Sequence, residues 1–210
     1  GILSIKASNP DAIVVDVVRT ASEKSVDPME VVRQFFRACL DGTIAATGTE
    51  TIVIDSMTEL QRLLRDEIVA TKRSGPNGEV KWSLDDWSLL TDRMRKLVRV
   101  IRDLPFNVVA IALADVETDD EGARYVVPSF QGKKIPNEVA GYFSLVGYVF
   151  RRTEATEDGD TELHHRVLLR GPSNYLTKHV APLSAVEPPD IGEWIERIRK
   201  HDGKGAGDQP

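Results

Sequence analysis

Thr51-Ile52-Val53-Ile54-Asp55-Ser56 is the segment on which the reading of the fold turns. The apolar, β-branched run fits a buried strand. An aspartate directly after such a run is not explained by packing. In a parallel sheet Asp55 would stand at the strand's carboxyl end, where open α/β sheets bind their ligands. The plain alternative is an aspartate that caps a helix or forms a turn. A helix follows at once: Ser56 and Glu59 have capping-box spacing, and Leu60, Leu63, Leu64 and Ile68 fall on one helical face.

Working outward, Ala12 to Val18 is a second β-branched run and predicts a buried strand. Asp27-Pro28 supplies an N-cap and a first-turn proline. Val31, Val32, Phe35, Phe36, Cys39 and Leu40 then recur at helical spacing up to Asp41-Gly42. Beyond the loop Ser74 to Gly78, a long helix is predicted from Leu84 to Asp103, with Trp87, Leu90, Met94, Leu97, Val98 and Ile101 as its buried stripe. Pro105 stops it, and Asn107 to Leu113 predicts a third buried strand. Strands alternating with helices imply parallel pairing through helical crossovers.

The pattern changes after Ala114. Asp115 to Glu121 reads as an acidic turn and Arg124 to Val127 as a short strand. Phe143 to Arg152 and Leu163 to Arg170 read as a hairpin about Glu157-Asp158-Gly159-Asp160. Ile191 to Arg199 predicts a last helix with Trp194 and Ile198 inward. Residues 1–200 are expected to form one α/β domain, and the polar, glycine-rich 201–210 a disordered tail.

Composition narrows the function. The chain has 210 residues and a net charge of −6, so it is not a basic nucleic-acid binder as a whole; DNA contact would need a local patch or an assembly of subunits. Its one cysteine, Cys39, cannot form a disulfide within the chain and reads as a small core hydrophobe in a reducing, cytoplasmic setting. No apolar run approaches the ~18 residues of a membrane span, and no signal peptide is visible. His164 and His165, adjacent in a predicted strand, face opposite ways. No His/Cys/Asp cluster has zinc spacing, and no Gly-x-Ser-x-Gly elbow is present.

Asp55-Ser56-Met57-Thr58-Glu59-Leu60 resembles the second nucleotide motif of RecA-like P-loop ATPases of bacteriophages, the AAA-type group that includes single-strand annealing and recombination ATPases. The resemblance continues in order. It takes in Trp87-x-x-Leu90-x-Asp92-x-Met94, then Arg102-Asp103-Leu104-Pro105-x-Asn107-Val108-Val109 and Gly132-Lys133. Gly141-Tyr142-Phe143, Val146-Gly147-Tyr148, Thr177-Lys178 and Pro188-Pro189-Asp190-Ile191 complete it. It implies a RecA-like core, a mostly parallel sheet flanked by helices, with a C-terminal antiparallel hairpin. It also implies ATP and Mg²⁺ as cofactors, with Asp55 as metal ligand and Ser56 beside it. By the same resemblance the place of the γ-phosphate sensor holds Ala112 and Ala114, so sensing falls to Asp115 or elsewhere; the plain alternative is an ordinary strand end. Lys178 takes the place of a charge-stabilising residue offered to a neighbouring subunit of a homo-oligomer. The family's Thr-Lys-Asp-Arg reads Thr177-Lys178-His179-Val180 here, so the arginine is missing.

Also missing is any Gly-x-x-x-x-Gly-Lys-Ser/Thr loop; Gly203-Lys204-Gly205 does not match it. Backbone N–H groups and the lysine of that loop supply most phosphate binding. These residues alone are therefore expected to bind ATP poorly. The simplest expectation is that the loop lies upstream of Gly1; the alternative is a degenerate, non-catalytic member serving as a DNA-binding or assembly module. A third reading is an unrelated α/β interaction domain.

For single-stranded DNA the resemblance points to the loop carrying Arg124, Phe130, Gln131, Lys133 and Lys134, basic groups with one aromatic for stacking, although Asp115, Glu117, Asp119, Asp120 and Glu121 share it. Arg93, Arg95, Lys96, Arg99 and Arg102 form either a second phosphate-binding face or an ordinary solvated helix face.

Overall fold

The structure is a computed structural model that describes residues 9–72, 81–132, 134–155, 158 and 160–205. The chain divides into two compact units, Gly1–Ile111 and Ala112–Pro210.

The first unit contains helices α1 (Val17–Lys24), α2 (Pro28–Leu40), α3 (Met57–Ala70) and α4 (Leu84–Arg102), with strands β1 (Thr51–Asp55) and β2 (Asn107–Ile111). Its helix starts follow from local chemistry. Asp27 accepts from the Met29 N–H at 2.7 Å with Pro28 in the first turn. Ser83 and Asp86 form a reciprocal capping box at the head of α4. β1 and β2 pair in parallel, Thr51 opposite Asn107 and Asp55 opposite Ile111. Ile52 and Ile54 are buried, as are Leu60, Leu64 and Ile68 of α3 and Leu90, Met94, Val98 and Ile101 of α4. The other face of β1–β2 stays bare, with Val53 59% and Ile111 42% exposed. Glu67 of α3 ties three helices together, accepting from Arg33 of α2 and Arg93 of α4, each at 2.5 Å.

Two expectations for this unit fail. Ala12–Val18 is not a strand: Asp16 accepts from the Arg19 N–H at 3.0 Å and caps α1, so Val17 and Val18 enter a helix, and Ile13 is 64% exposed. β-branched composition favours a strand only where a neighbour pairs with it, and among the described residues this run has none. Trp87 leaves the buried stripe; it is 39% exposed and packs its ring 5.1 Å from that of Trp82.

The second unit contains β3 (Ala114–Thr118), β4 (Arg124–Pro128), α5 (Ile135–Gly141), β5 (Tyr148–Ala155), β6 (Thr161–Leu168), β7 (Val186–Glu187) and α6 (Ile191–Gly205). β3 and β4 form an antiparallel hairpin, and β5, β6 and β7 an antiparallel sheet in that order. The expected Phe143–Arg170 hairpin is therefore present, with its strands shifted. Val167, Leu169, Leu183 and Trp194 form the core, lined by Leu145, Val180, Ile191 and Ile198. Gly147 is required by close approach, because a Cβ there would lie 2.5 Å from Val167 Cγ1. Glu187 is buried and accepts from Arg197 at 3.0 Å through both carboxylate oxygens, holding α6 to β7.

Three further expectations fail in the structure. The acidic stretch from Asp115 is a strand as far as Thr118. Only then does the chain turn, with Asp119 accepting from the Glu121 and Ala123 N–H groups and Gly122 at φ 86°. Pairing with β4 overrides its low strand propensity. The last helix runs to Gly205, so 201–205 are helical rather than a disordered tail; 206–210 lie outside the described residues. Among the described residues the sheets are not mostly parallel: β1–β2 is the one parallel strand pairing, against three antiparallel ones. No described helix is long and apolar enough to cross a membrane.

Candidate functional site

Asp55 ends β1, exposed, on the same rim as the tip of β2 because the two strands run parallel. Among the described residues β1 has one strand neighbour, β2, so its other edge is open. Ser56 is the N-cap of α3: its Oγ accepts from the Glu59 N–H at 3.2 Å, and its carbonyl accepts from the Leu60 N–H at 3.0 Å. The Asp55–Ser56 peptide is cis. The two residues thus have divided roles. Ser56 satisfies the first turn of the helix, and Asp55 is left with an open carboxylate beside the positive end of a 14-residue helix. Thr58 and Gln61, one turn on, are buried polar groups.

The other predicted residues are placed separately. Asp115 is not at the tip of β2, which ends at Ile111. It belongs to β3 in the second unit, opposite Val127, with its carboxylate accepting from the Val116 N–H at 2.8 Å. Lys178 is exposed, exchanges backbone hydrogen bonds with Val146, and donates its ammonium to the Phe143 carbonyl at 2.7 Å. Arg124 is exposed at the start of β4, opposite Thr118. Phe130 is half-buried, and Lys134 is exposed just ahead of α5. Lys133 lies outside the described residues. Of the basic helix face, Arg93 is engaged with Glu67, Arg95 with Asp92 and Arg102 with Asp103. That face is therefore largely neutralised by its own neighbours, which favours the solvated reading.

A magnesium ion is ordinarily held by one or two carboxylates, with waters and substrate phosphates completing its shell. Asp55 fits that role: it is exposed, acidic and at the carboxyl rim. The described residues contain no group of three or more His, Cys, Asp or Glu side chains able to hold a metal unaided, so nucleotide phosphates would have to supply the remaining ligands. The residues present fit the metal end of a nucleotide site. They do not fit the phosphate cradle, for which the sequence has no glycine-lysine loop.

Sequence reasoning missed a cavity of about 460 Å³ in the second unit, between the β3–β4 hairpin, α5 and residues 173–176. The alternation of Glu117 on β3 and of Tyr125 and Val127 on β4 could have suggested a shared face. The residues that close it lie some fifty positions away and carry no local signal.

A parallel strand pair joined through helices, with an open aspartate on its carboxyl rim, is compatible with an α/β domain of the P-loop NTPase type. The chain belongs to the AAA domain family, whose model matches residues 4–179. It is accordingly an AAA, P-loop NTPase-type domain, and its family-level function is that of a nucleotide-binding ATPase, a class that binds ATP with Mg²⁺. No curated protein and no solved structure matches the chain.

Proposed function

We propose that this chain is the body of a RecA-like ATPase of phage type. It would bind and hydrolyse ATP as a homo-oligomer and act on single-stranded DNA in recombination or annealing. The supporting observation is Asp55, an exposed carboxylate closing β1 in parallel register with β2 at the head of a capped helix. The family match supports the nucleotide part of the reading; the DNA part rests on the ordered motifs quoted above.

In this reading Asp55 would ligate the metal or accept a hydrogen bond from a water bound to it, and Ser56 fixes where the helix begins and so where the carboxylate points. The metal would screen charge on the β- and γ-phosphates. The reading requires a phosphate loop, which these 210 residues do not contain. Arg124, Phe130, Lys133 and Lys134 would meet DNA phosphates and bases. Lys178 could reach a neighbouring subunit's nucleotide only after leaving the Phe143 carbonyl.

The test is ATP hydrolysis and ATP-dependent binding of a single-stranded oligonucleotide by the full-length protein, native and Asp55→Asn. The substitution keeps shape and removes charge, so hydrolysis should fall by roughly 100-fold or more while folding is kept. DNA binding that ignores ATP, with no hydrolysis to lose, would instead identify a non-catalytic RecA-fold module. Equal hydrolysis by both proteins would remove Asp55 from the site.

A further inference from the structure

The cavity of the second unit has a chemistry unlike that of the surface expected to meet DNA. Its floor is the shared face of β3 and β4, where Glu117 pairs directly with Tyr125. Asp119 stands at the turn and accepts a hydrogen bond from the Tyr125 hydroxyl, which holds the Asp119 carboxyl below its usual range alongside the larger effect of the Ala123 N–H. Asn137 of α5 and Ser173 lie opposite, with Tyr175, whose ring packs 5.1 Å from that of Tyr148. Segment 174–176 is anchored to β4 by backbone bonds, Val126 N–H to the Asn174 carbonyl at 2.7 Å and Leu176 N–H to the Val126 carbonyl at 2.9 Å. The wall carrying Tyr175 is therefore built into the hairpin.

Four features fix what this space accepts. Among the described residues no lysine, arginine or histidine lines it, whereas two carboxylates do. Glu117 is half-buried and makes no ion pair among the described residues, so its charge is not compensated from within. The neutral part of the wall includes two phenol rings, whose faces attract cations, and an amide and a hydroxyl able to accept hydrogen bonds. The volume lies within the range of small-ligand sites.

We infer that this cavity is a binding site for a guanidinium or alkylammonium cation, with Glu117 as the principal charge partner and Tyr125 and Tyr175 as the aromatic walls. A phosphate would meet two like charges there, so the nucleic-acid backbone is excluded as its occupant. The site does not depend on the nucleotide reading, because none of its residues is near Asp55 in the sequence or shared with its unit. The guanidinium could be carried by a partner peptide or by a second copy of this chain.

Calorimetric titration of the full-length protein with argininamide, with the neutral isostere citrulline amide as control, tests the assignment. Argininamide should bind saturably and the citrulline compound at least about tenfold more weakly; argininamide binding should weaken with added salt. Glu117→Gln should reduce argininamide affinity roughly tenfold, and Tyr175→Leu should reduce it by a smaller factor. Ring-proton shifts of Tyr125 and Tyr175 on addition of argininamide would locate the site independently. Sedimentation then separates the sources. If a second copy supplies the cation, self-association weakens in Glu117→Gln and on adding argininamide. If a peptide supplies it, association is unchanged and a Gly-Arg-Gly peptide binds at least as well as argininamide. Equal binding of the citrulline compound, or no saturable binding by a Glu117→Gln-sensitive site at millimolar argininamide, would overturn the proposal.

Discussion

The unit ending at Ile111 and the unit beginning at Ala112 each place their candidate site through contacts of a different range. In the first, each α-helix begins at a side chain that caps it, from Asp16, Asp27, Ser56 and Ser83, and the cap lies within three residues of the group it satisfies. In the second, α5 has no side-chain cap, β4 is joined to residues 174–176, and Val146 pairs with Lys178. The difference decides where each candidate site lies. The carboxylate Asp55 belongs to a strand–helix junction written in six consecutive residues. The cation cavity belongs to segments about fifty residues apart.

If the two units are separate energetic bodies, truncation of each core should be felt in its own unit. Trp194→Ala removes the largest side chain of the second core, and a cost of about 3–5 kcal/mol is expected. Its indole N–H finds no acceptor among the described residues, so Trp194→Phe should cost much less than alanine, since it removes an unpaired donor along with volume. Met94→Ala in the first core should cost about 2–5 kcal/mol. Amide hydrogen exchange on the three variants checks the idea. Protection lost across both units from a single core substitution would break the distinction.

Among the described residues each unit has one buried carboxylate, Asp86 in the first and Glu187 in the second, and each should make its unit acid-sensitive. Burial pushes Glu187 up, but the Arg197 guanidinium and the Ser184 N–H outweigh it and leave the group below its ordinary value. Asp86, hydrogen-bonded by Lys72 and by both the hydroxyl and N–H of Ser83, is held down to about 2. A carboxylate lowered on folding stabilises the protein above its unfolded pKa, near 4, and that contribution is lost as pH falls through the folded value. For Asp86 the loss should run between about pH 4 and pH 2. Urea midpoints measured from pH 6 downward should therefore fall less steeply in Asp86→Asn than in the native protein. Arg197→Met should act at neutral pH as well, lowering the melting temperature by about 5 °C or more, because it leaves Glu187 buried and unpaired.

The same contrast in range explains what could be read from the residues. The Thr51–Asp55 strand, the capped α3, the stripe of α4 and the Asn107 strand follow from periodicity and caps, and so did the placement of Asp55. The Ala12–Val18 run did not, because whether a β-branched segment is a strand depends on a neighbour that the segment does not encode. β3 is hidden for the opposite reason: Ala114, Asp115 and Glu117 are poor strand formers, held extended by pairing with Pro128 through Arg124. The resemblance places Asp115 at the tip of the preceding strand, whereas it lies within β3. Glu117, Tyr125 and Tyr175 became a site only when residues 174–176 bonded to β4, a contact no local window contains.

The smallest effect is the one that best separates structure from chemistry at the β1–α3 junction. Ser56→Ala removes the oxygen that accepts from the Glu59 N–H, and the loss of such a cap costs about 1 kcal/mol. Aspartate at 56 would restore the acceptor and add a second carboxylate next to Asp55. If Ser56 serves only the helix, Ser56→Ala lowers the urea midpoint slightly, Ser56→Asp returns it, and any ATP hydrolysis by the full-length protein is altered little by alanine. If the Ser56 hydroxyl also touches the metal or its water, the alanine variant loses hydrolysis out of proportion to its small loss of stability. The Ser56→Asp variant then regains stability without regaining rate. Stability and rate measured on the same three proteins decide whether the site at the end of β1 is one residue wide or two.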